Sequence, residues 1–152
     1  MTRFLLTTLG SLGDLHPYIA VGRSLIARGQ HVVLATSEEY RELIVGTGIS
    51  FAPVRPGFAE LDDYPSLVSK AFDIRRGPEF LIRELIMPHL RSAYADLWQA
   101  SEGADFLVSH PLTYALPMVA ELRGLPWAAT VLSPMSFVSC YDPPSIPSVA
   151  WV

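Results

Sequence analysis

Cysteine is all but missing. Cys140 stands alone in 152 residues, so no disulfide framework and no cysteine metal site can form within the chain. That scarcity suits a reducing, cytoplasmic setting. Lysine is equally rare: Lys70 is the single example, and arginine supplies the rest of the positive charge. No basic run and no aromatic-basic stripe occurs, which leaves out nucleic acid as a partner and gives anionic lipid headgroups little to attract. Charged residues make up only 17% of the chain, and the net charge is −4. Long apolar runs are absent too. The longest uncharged stretch, 124–141, is interrupted by Pro126 and Pro134, so no membrane-spanning helix is expected there. The opening segment has one arginine and a short apolar stretch without a small-residue cleavage site, unlike a signal peptide.

What the chain does have is oil. Half of its residues are apolar, more than an ordinary domain of this length requires. Either the core is large, or some apolar surface meets another domain or an apolar ligand. The periodicities alternate along the chain. Short β-branched, apolar segments at Arg3 to Leu9, His31 to Thr36, Ser50 to Val54, Asp105 to Ser109 and Trp127 to Leu132 read as strands. Between them, helical spacing runs from Pro17 to Arg28, Glu38 to Thr47, Glu79 to Ala100 and Thr113 to Arg123. Pro17 suits a first helical turn, while Gly29 and Gly124 suit positions just past a helix end. Pro53 points to an edge position for the third strand, and Pro88 to a kink in the long helix. The stretch 55–78 reads as a long irregular connection with a helical turn around Leu67 to Phe72, and long connections are often functional. Strands that alternate with helices call for right-handed crossovers and a mainly parallel sheet covered on both faces. The expected fold is α/β, a Rossmann-like three-layer α/β/α arrangement in one domain.

In such a sheet ligands bind beyond the carboxyl ends of the strands, so the residues just after each strand carry the chemistry. After the first strand comes Gly10-Ser11-Leu12-Gly13-Asp14-Leu15-His16-Pro17. It lacks the G-x-G-x-x-G spacing of a dinucleotide site and the Lys-Ser/Thr of a P-loop. A carboxylate at the mouth of this turn would repel a pyrophosphate, so the loop points to a base or a polar contact for a neutral hydroxyl. Asp14 has two readings, a helix cap that accepts backbone N–H groups near Leu15 to Pro17 or a general base. His16 reads as a surface residue or a pocket donor. Gly10 and Gly13 provide the tight turn. His110, after the fourth strand, either bonds loop backbone before Pro111 or meets Asp14. Tyr64, Leu67, Phe72, Met135, Phe137 and Tyr141 fall on loops at the same edge, where an apolar acceptor, a missing domain or the ordinary core could claim them, and Ser133 opens the loop after the fifth strand. His31 reads as a strand-start residue, His89 as a helix-surface residue and Cys140 as inert packing.

The motif Gly10-Ser-Leu-Gly-Asp-Leu-His-Pro17, followed by Arg28-Gly-Gln-His-Val-Val-Leu-Ala-Thr36, resembles the opening of GT-B glycosyltransferases. It looks most like the sterol-glucosyltransferase and glycopeptide-antibiotic glycosyltransferase group. Val108 to Pro126 and Leu132-Ser-Pro-Met-Ser-Phe137 resemble the same group, so the similarity covers essentially the whole chain. The resemblance implies that residues 1–152 form the N-terminal, acceptor-side half of a GT-B fold, with a C-terminal donor-binding domain following. It implies inverting, metal-independent transfer of a hexose from a UDP- or dTDP-sugar to a hydroxyl of a sterol, lipid or natural product. Asp14 would be the base and His110 its partner. Gly10, Ser11, Gly13, His16, Phe72, Ser133, Met135 and Phe137 would contact substrate, and peripheral membrane contact would be compatible. No cofactor is implied. Alone, the chain is expected neither to hold a nucleotide sugar tightly nor to turn over. Two other readings share the architecture: an acceptor or membrane-docking subunit of a two-chain enzyme, and a nucleotide-sugar 2-epimerase.

Overall fold

The structure, a computed structural model, describes residues 1–61, 64–71, 73, 76–133 and 141. Among the described residues five strands form one sheet: β1 (Arg3–Thr7), β2 (His31–Thr36), β3 (Ser50–Pro53), β4 (Phe106–Ser109) and β5 (Trp127–Ala129). All neighbouring pairs are parallel, in the order β3-β2-β1-β4-β5. The helices are α1 (Leu12–Ala27), α2 (Arg41–Val45), α3 (Tyr64–Ala71), α4 (Gly77–Phe80), α5 (Leu90–Ala100) and α6 (Ala115–Arg123).

Strand alternation builds two cores, one on each face of the sheet. Leu6, Val32 and Leu34 point to one side, where Leu15, Tyr18 and Ile19 of α1 and Ile44 of α2 cover them. Leu5, Val33, Ala35 and Leu107 point to the other, against Leu97 of α5 and Leu116, Val119 and Ala120 of α6. Burial on both faces explains the continuous apolar runs of these strands. Pro53 ends β3 at the sheet margin, where a residue without an N–H leaves no inner ladder bond unmade. Gly124 takes φ +66° directly after α6 and closes it with a left-handed cap.

Four segments differ from the sequence reading. α1 begins at Leu12 rather than Pro17, so Pro17 lies inside the helix. The turn residues Gly10 to Asp14 read as a loop, yet Ser11 already caps the helix. The stretch 55–78 holds a two-turn helix, α3, and a 3₁₀ turn at Phe58–Glu60. The run from Glu79 to Ala100 remains helical but changes pitch: a π turn at Leu81–Ile86 and a 3₁₀ turn at Met87–His89 separate α4 from α5. Pro88 has no N–H for the ladder, and the change of pitch absorbs it. β5 stops at Ala129, shorter than the Trp127 to Leu132 reading; beyond it the Thr130 N–H and hydroxyl both donate to the Ser109 carbonyl, each at 2.9 Å.

The connection after β3 is pinned by Arg55. Its backbone N–H, Nε and Nη2 donate to Asp96 on α5 at 3.0, 2.9 and 2.7 Å. Burial alone would raise the Asp96 carboxyl, but these bonds outweigh it and hold it below the ordinary aspartate range. No helix among the described residues is long and apolar enough to cross a membrane.

Candidate active site

The strand order reverses direction between β1 and β4, so the crevice beyond their carboxyl ends is the natural ligand position of this sheet. Asp14 follows β1 and His110 follows β4, and the register sets them side by side: the His110 N–H donates to the Thr7 carbonyl at 3.1 Å.

Asp14 does two things at once. Ser11 is the N-cap of α1 and Asp14 its third residue, and the two form a reciprocal capping box. The Ser11 N–H and hydroxyl donate to Asp14 Oδ2 at 2.8 and 3.1 Å, while Ser11 Oγ accepts the Gly13 N–H at 3.2 Å. Asp14 is therefore not the N-cap accepting bonds near Leu15 to Pro17; it reaches back to Ser11. Its other oxygen, Oδ1, lies 3.6 Å from His110 Nε2, with the carboxylate side chain 33% exposed. Gly10 makes this geometry possible. It sits at φ +131°, and a Cβ there would come within 2.3 Å of Asp14 Oδ2. Its carbonyl accepts the Tyr40 hydroxyl at 3.0 Å, which fixes the turn from the β2 side.

His110 is 5% exposed. Its Nδ1 accepts the Leu112 N–H at 3.2 Å, so in the neutral ring the proton is on Nε2, facing Asp14. The backbone bond is made to Leu112, beyond Pro111 rather than before it, while Nε2 faces Asp14 Oδ1. At 3.6 Å the Nε2–Oδ1 approach is longer than a hydrogen bond, and a small side-chain movement would close it. Burial lowers the His110 pKa below the ordinary histidine value, and the Asp14 charge only partly offsets this. The sign follows: near pH 6 the unfolded chain binds the proton that the folded one refuses, so stability falls as pH drops below about 6.5. Urea midpoints at pH 7.5 and 5.5 should therefore lie further apart in the wild type than in His110→Gln. Equal separations would contradict the burial argument.

Beside Asp14 opens a cleft of about 260 Å³. Gly10, Ser11 and Asp14 form its polar wall; Phe58, Leu61, Leu67, Leu81, Leu85 and Leu112 supply most of the rest. Leu81 and Leu85 come from the π turn. Their spacing within the helical run does not mark them, because apolar periodicity does not distinguish a core from a cleft. Phe58 and Leu61 were hidden in a connection without periodicity. A smaller cavity of about 30 Å³ shares Leu9, Pro56 and Leu112 with the cleft and is also lined by His89. His89 is thus half-buried in a cavity wall rather than lying on a helix surface.

The remaining candidates that the structure describes lie away from the cleft, apart from Leu67. His16 is exposed on α1, and neither it nor Gly13 lines the cleft. Ser133 is half-buried outside the cleft wall, and Tyr141 is almost fully exposed. Phe72, Met135, Phe137 and Cys140 lie outside the described residues, as does the side chain of Tyr64. His31 starts β2 as read. Among the described residues no three His, Cys, Asp or Glu side chains form a group that could hold a metal ion.

The arrangement is a carboxylate, oriented by its own helix and faced by a neutral imidazole, at the edge of an apolar cleft. Comparison with known proteins places the sequence and the fold. The sterol 3-beta-glucosyltransferase of Yarrowia lipolytica is 33% identical over 143 residues, 91% of this chain and 9% of that protein. The O-mycaminosyltylonolide 6-deoxyallosyltransferase of Streptomyces fradiae is 33% identical over 116 residues, 73% of this chain and 27% of that protein. The chain therefore spans only a small part of the length of these relatives. Among solved structures, the calicheamicin glycosyltransferase CalG4 superposes with a TM-score of 0.66 at 13% identity, covering 85% of this chain and 32% of that one. The glycosyltransferase SnogD from Streptomyces nogalater gives 0.64 at 22%, covering 89% and 35%; at such identities the likeness is one of fold. The sequence also matches the Glycosyltransferase family 28 N-terminal domain over residues 4–135, and to that family the chain belongs.

Proposed function

We propose that the chain is the acceptor-binding half of a glycosyltransferase that moves a hexose from a nucleoside-diphosphate sugar to the hydroxyl of an apolar acceptor. One observation carries the reading: the Asp14 carboxylate sits on the wall of an apolar cleft, with Oδ2 tied down by its own helix cap and Oδ1 turned toward His110. An apolar body would fill the cleft by burial of its surface and leave its hydroxyl at the polar wall. The acceptor oxygen attacks the anomeric carbon while its proton passes to Asp14, and the bond to the diphosphate breaks with the electron pair leaving on phosphate oxygen. Attack from the face opposite the diphosphate inverts the anomeric centre. His110, neutral and donating from Nε2, steadies the carboxylate and shares its charge. The donor, UDP- or dTDP-linked, belongs to a C-terminal domain following this one in the same chain. The transfer needs no metal ion in this reading.

A panel of hydrophobic alcohols, sterols included, offered with UDP- and dTDP-sugars to the full-length protein tests it. Diphosphate release should depend on the alcohol, survive EDTA, and yield the inverted glycoside. Release that no alcohol stimulates would sink the acceptor reading, and release abolished by EDTA would sink the metal-free one.

A further inference from the structure

Helical spacing places Asp14 and Tyr18 four residues apart on one face of α1, so both side chains reach the crevice between β1 and β4. Tyr18 is 3% exposed, and its ring meets the His110 ring edge-on, with centroids 6.0 Å apart and planes at 65°. The Tyr18 hydroxyl is hydrogen-bonded to Thr130 Oγ1. The direction of that bond follows from its neighbours. Thr130 Oγ1 also lies 2.9 Å from the Ser109 carbonyl, which can only accept, so the single threonine hydroxyl hydrogen is committed there. Tyr18 must therefore donate to Thr130. The result is a strap from α1, across the end of β5, to the residue that precedes His110. The imidazole is held from two sides, by the Leu112 N–H on Nδ1 and by the tyrosine ring.

We propose that Tyr18 is a positioning residue for His110: its ring, anchored through Thr130, keeps the imidazole oriented with Nε2 turned to Asp14. The catalytic part of this role rests on the function proposed above, whereas the orientation of the ring does not. A Phe at position 18 would keep the ring and lose the anchor. A Val at position 130 would remove the anchor from the other end, and a Ser there would preserve it. The titratable groups facing His110 from the elements packed on it are Asp14 and Tyr18, both from α1.

The test has two arms. In the first, ¹⁵N NMR of the His110 ring reads its tautomer in the chain. The wild type and Thr130→Ser should show the Nε2-protonated form, while Tyr18→Phe and Thr130→Val should show a mixture of tautomers. In the second, the full-length enzyme should lose about tenfold in kcat with either variant while the acceptor KM holds, less than the roughly hundredfold that a 1 Å misplacement brings. The double variant should be no slower than either single one, because both remove one bond. A ring spectrum unchanged in Tyr18→Phe and Thr130→Val overturns the proposal whatever the rates, and so do losses that simply add. Should Tyr18→Phe fail to fold, Thr130→Val against Thr130→Ser decides the matter. Turnover that survives Asp14→Asn would count against the proposed function and leave the NMR arm standing.

Discussion

Asp14→Asn should lower kcat of the full-length enzyme by about 10² to 10⁴-fold, the usual contribution of a positioned general base. The amide is isosteric, so the cleft keeps its shape and the acceptor KM should move little. What it loses is the ability to take a proton. The local bonding sharpens the expectation. Oδ2 accepts from Ser11 and Oδ1 faces the Nε2–H of His110, so a carboxylate satisfies donors on both sides. An asparagine has one oxygen for those two places. Whichever way it turns, an NH₂ meets an N–H or O–H donor, and the cap or the histidine contact is lost at about 1 kcal/mol in stability. The measurement is alcohol-dependent diphosphate release at saturating donor, with a urea midpoint beside it to separate chemistry from folding. Near-normal turnover in the variant would remove Asp14 as the base.

Gly10→Ala should destabilise the fold by about 2–4 kcal/mol, combining backbone strain at a positive φ with the loss of the α1 cap. At φ +131° an L side chain is strained whatever the space, and here there is none. The new Cβ would stand 2.3 Å from Asp14 Oδ2 and 2.9 Å from its Cγ, so the carboxylate would have to leave Ser11. Turnover should fall along with stability, since the same carboxylate is the proposed base. An Asp14→Ala background separates the two causes: the clash disappears there and only the strain remains, so the alanine at position 10 should cost less in that background. A Gly10→Ala protein as stable as the wild type would show that the turn relaxes without disturbing the cap.

These two residues also show how much of the site was legible. The acid after the first strand is visible in the sequence, and so is the expectation it raises, because a carboxylate at that turn would repel a phosphate. Its structural meaning was equally present in the Ser11-x-x-Asp14 spacing of a capping box. It was read as part of a loop because two glycines and Pro17 outweighed that spacing, and the start of α1 was misplaced for the same reason. Leu81 and Leu85 line the cleft, yet a helix that turns its apolar side to a cleft has the same periodicity as one that turns it to a core. Nothing in the sequence marks Tyr18, since a tyrosine on the buried face of an amphipathic helix is ordinary until its hydroxyl partner is known.

The sequence by itself determined the alternation of strand and helix, the parallel sheet that such alternation requires, and the local turn that carries Asp14. Those signals act within a few residues, through side-chain period, capping and glycine conformation. Only the tertiary structure decided that β1 lies between β2 and β4, and hence that Asp14 and His110, far apart in the chain, meet across one crevice. Backbone ladders pair any strand with any other equally well. Their order is chosen by which arrangement buries both faces of the whole sheet, and that preference is a property of the complete fold that no local stretch of residues encodes.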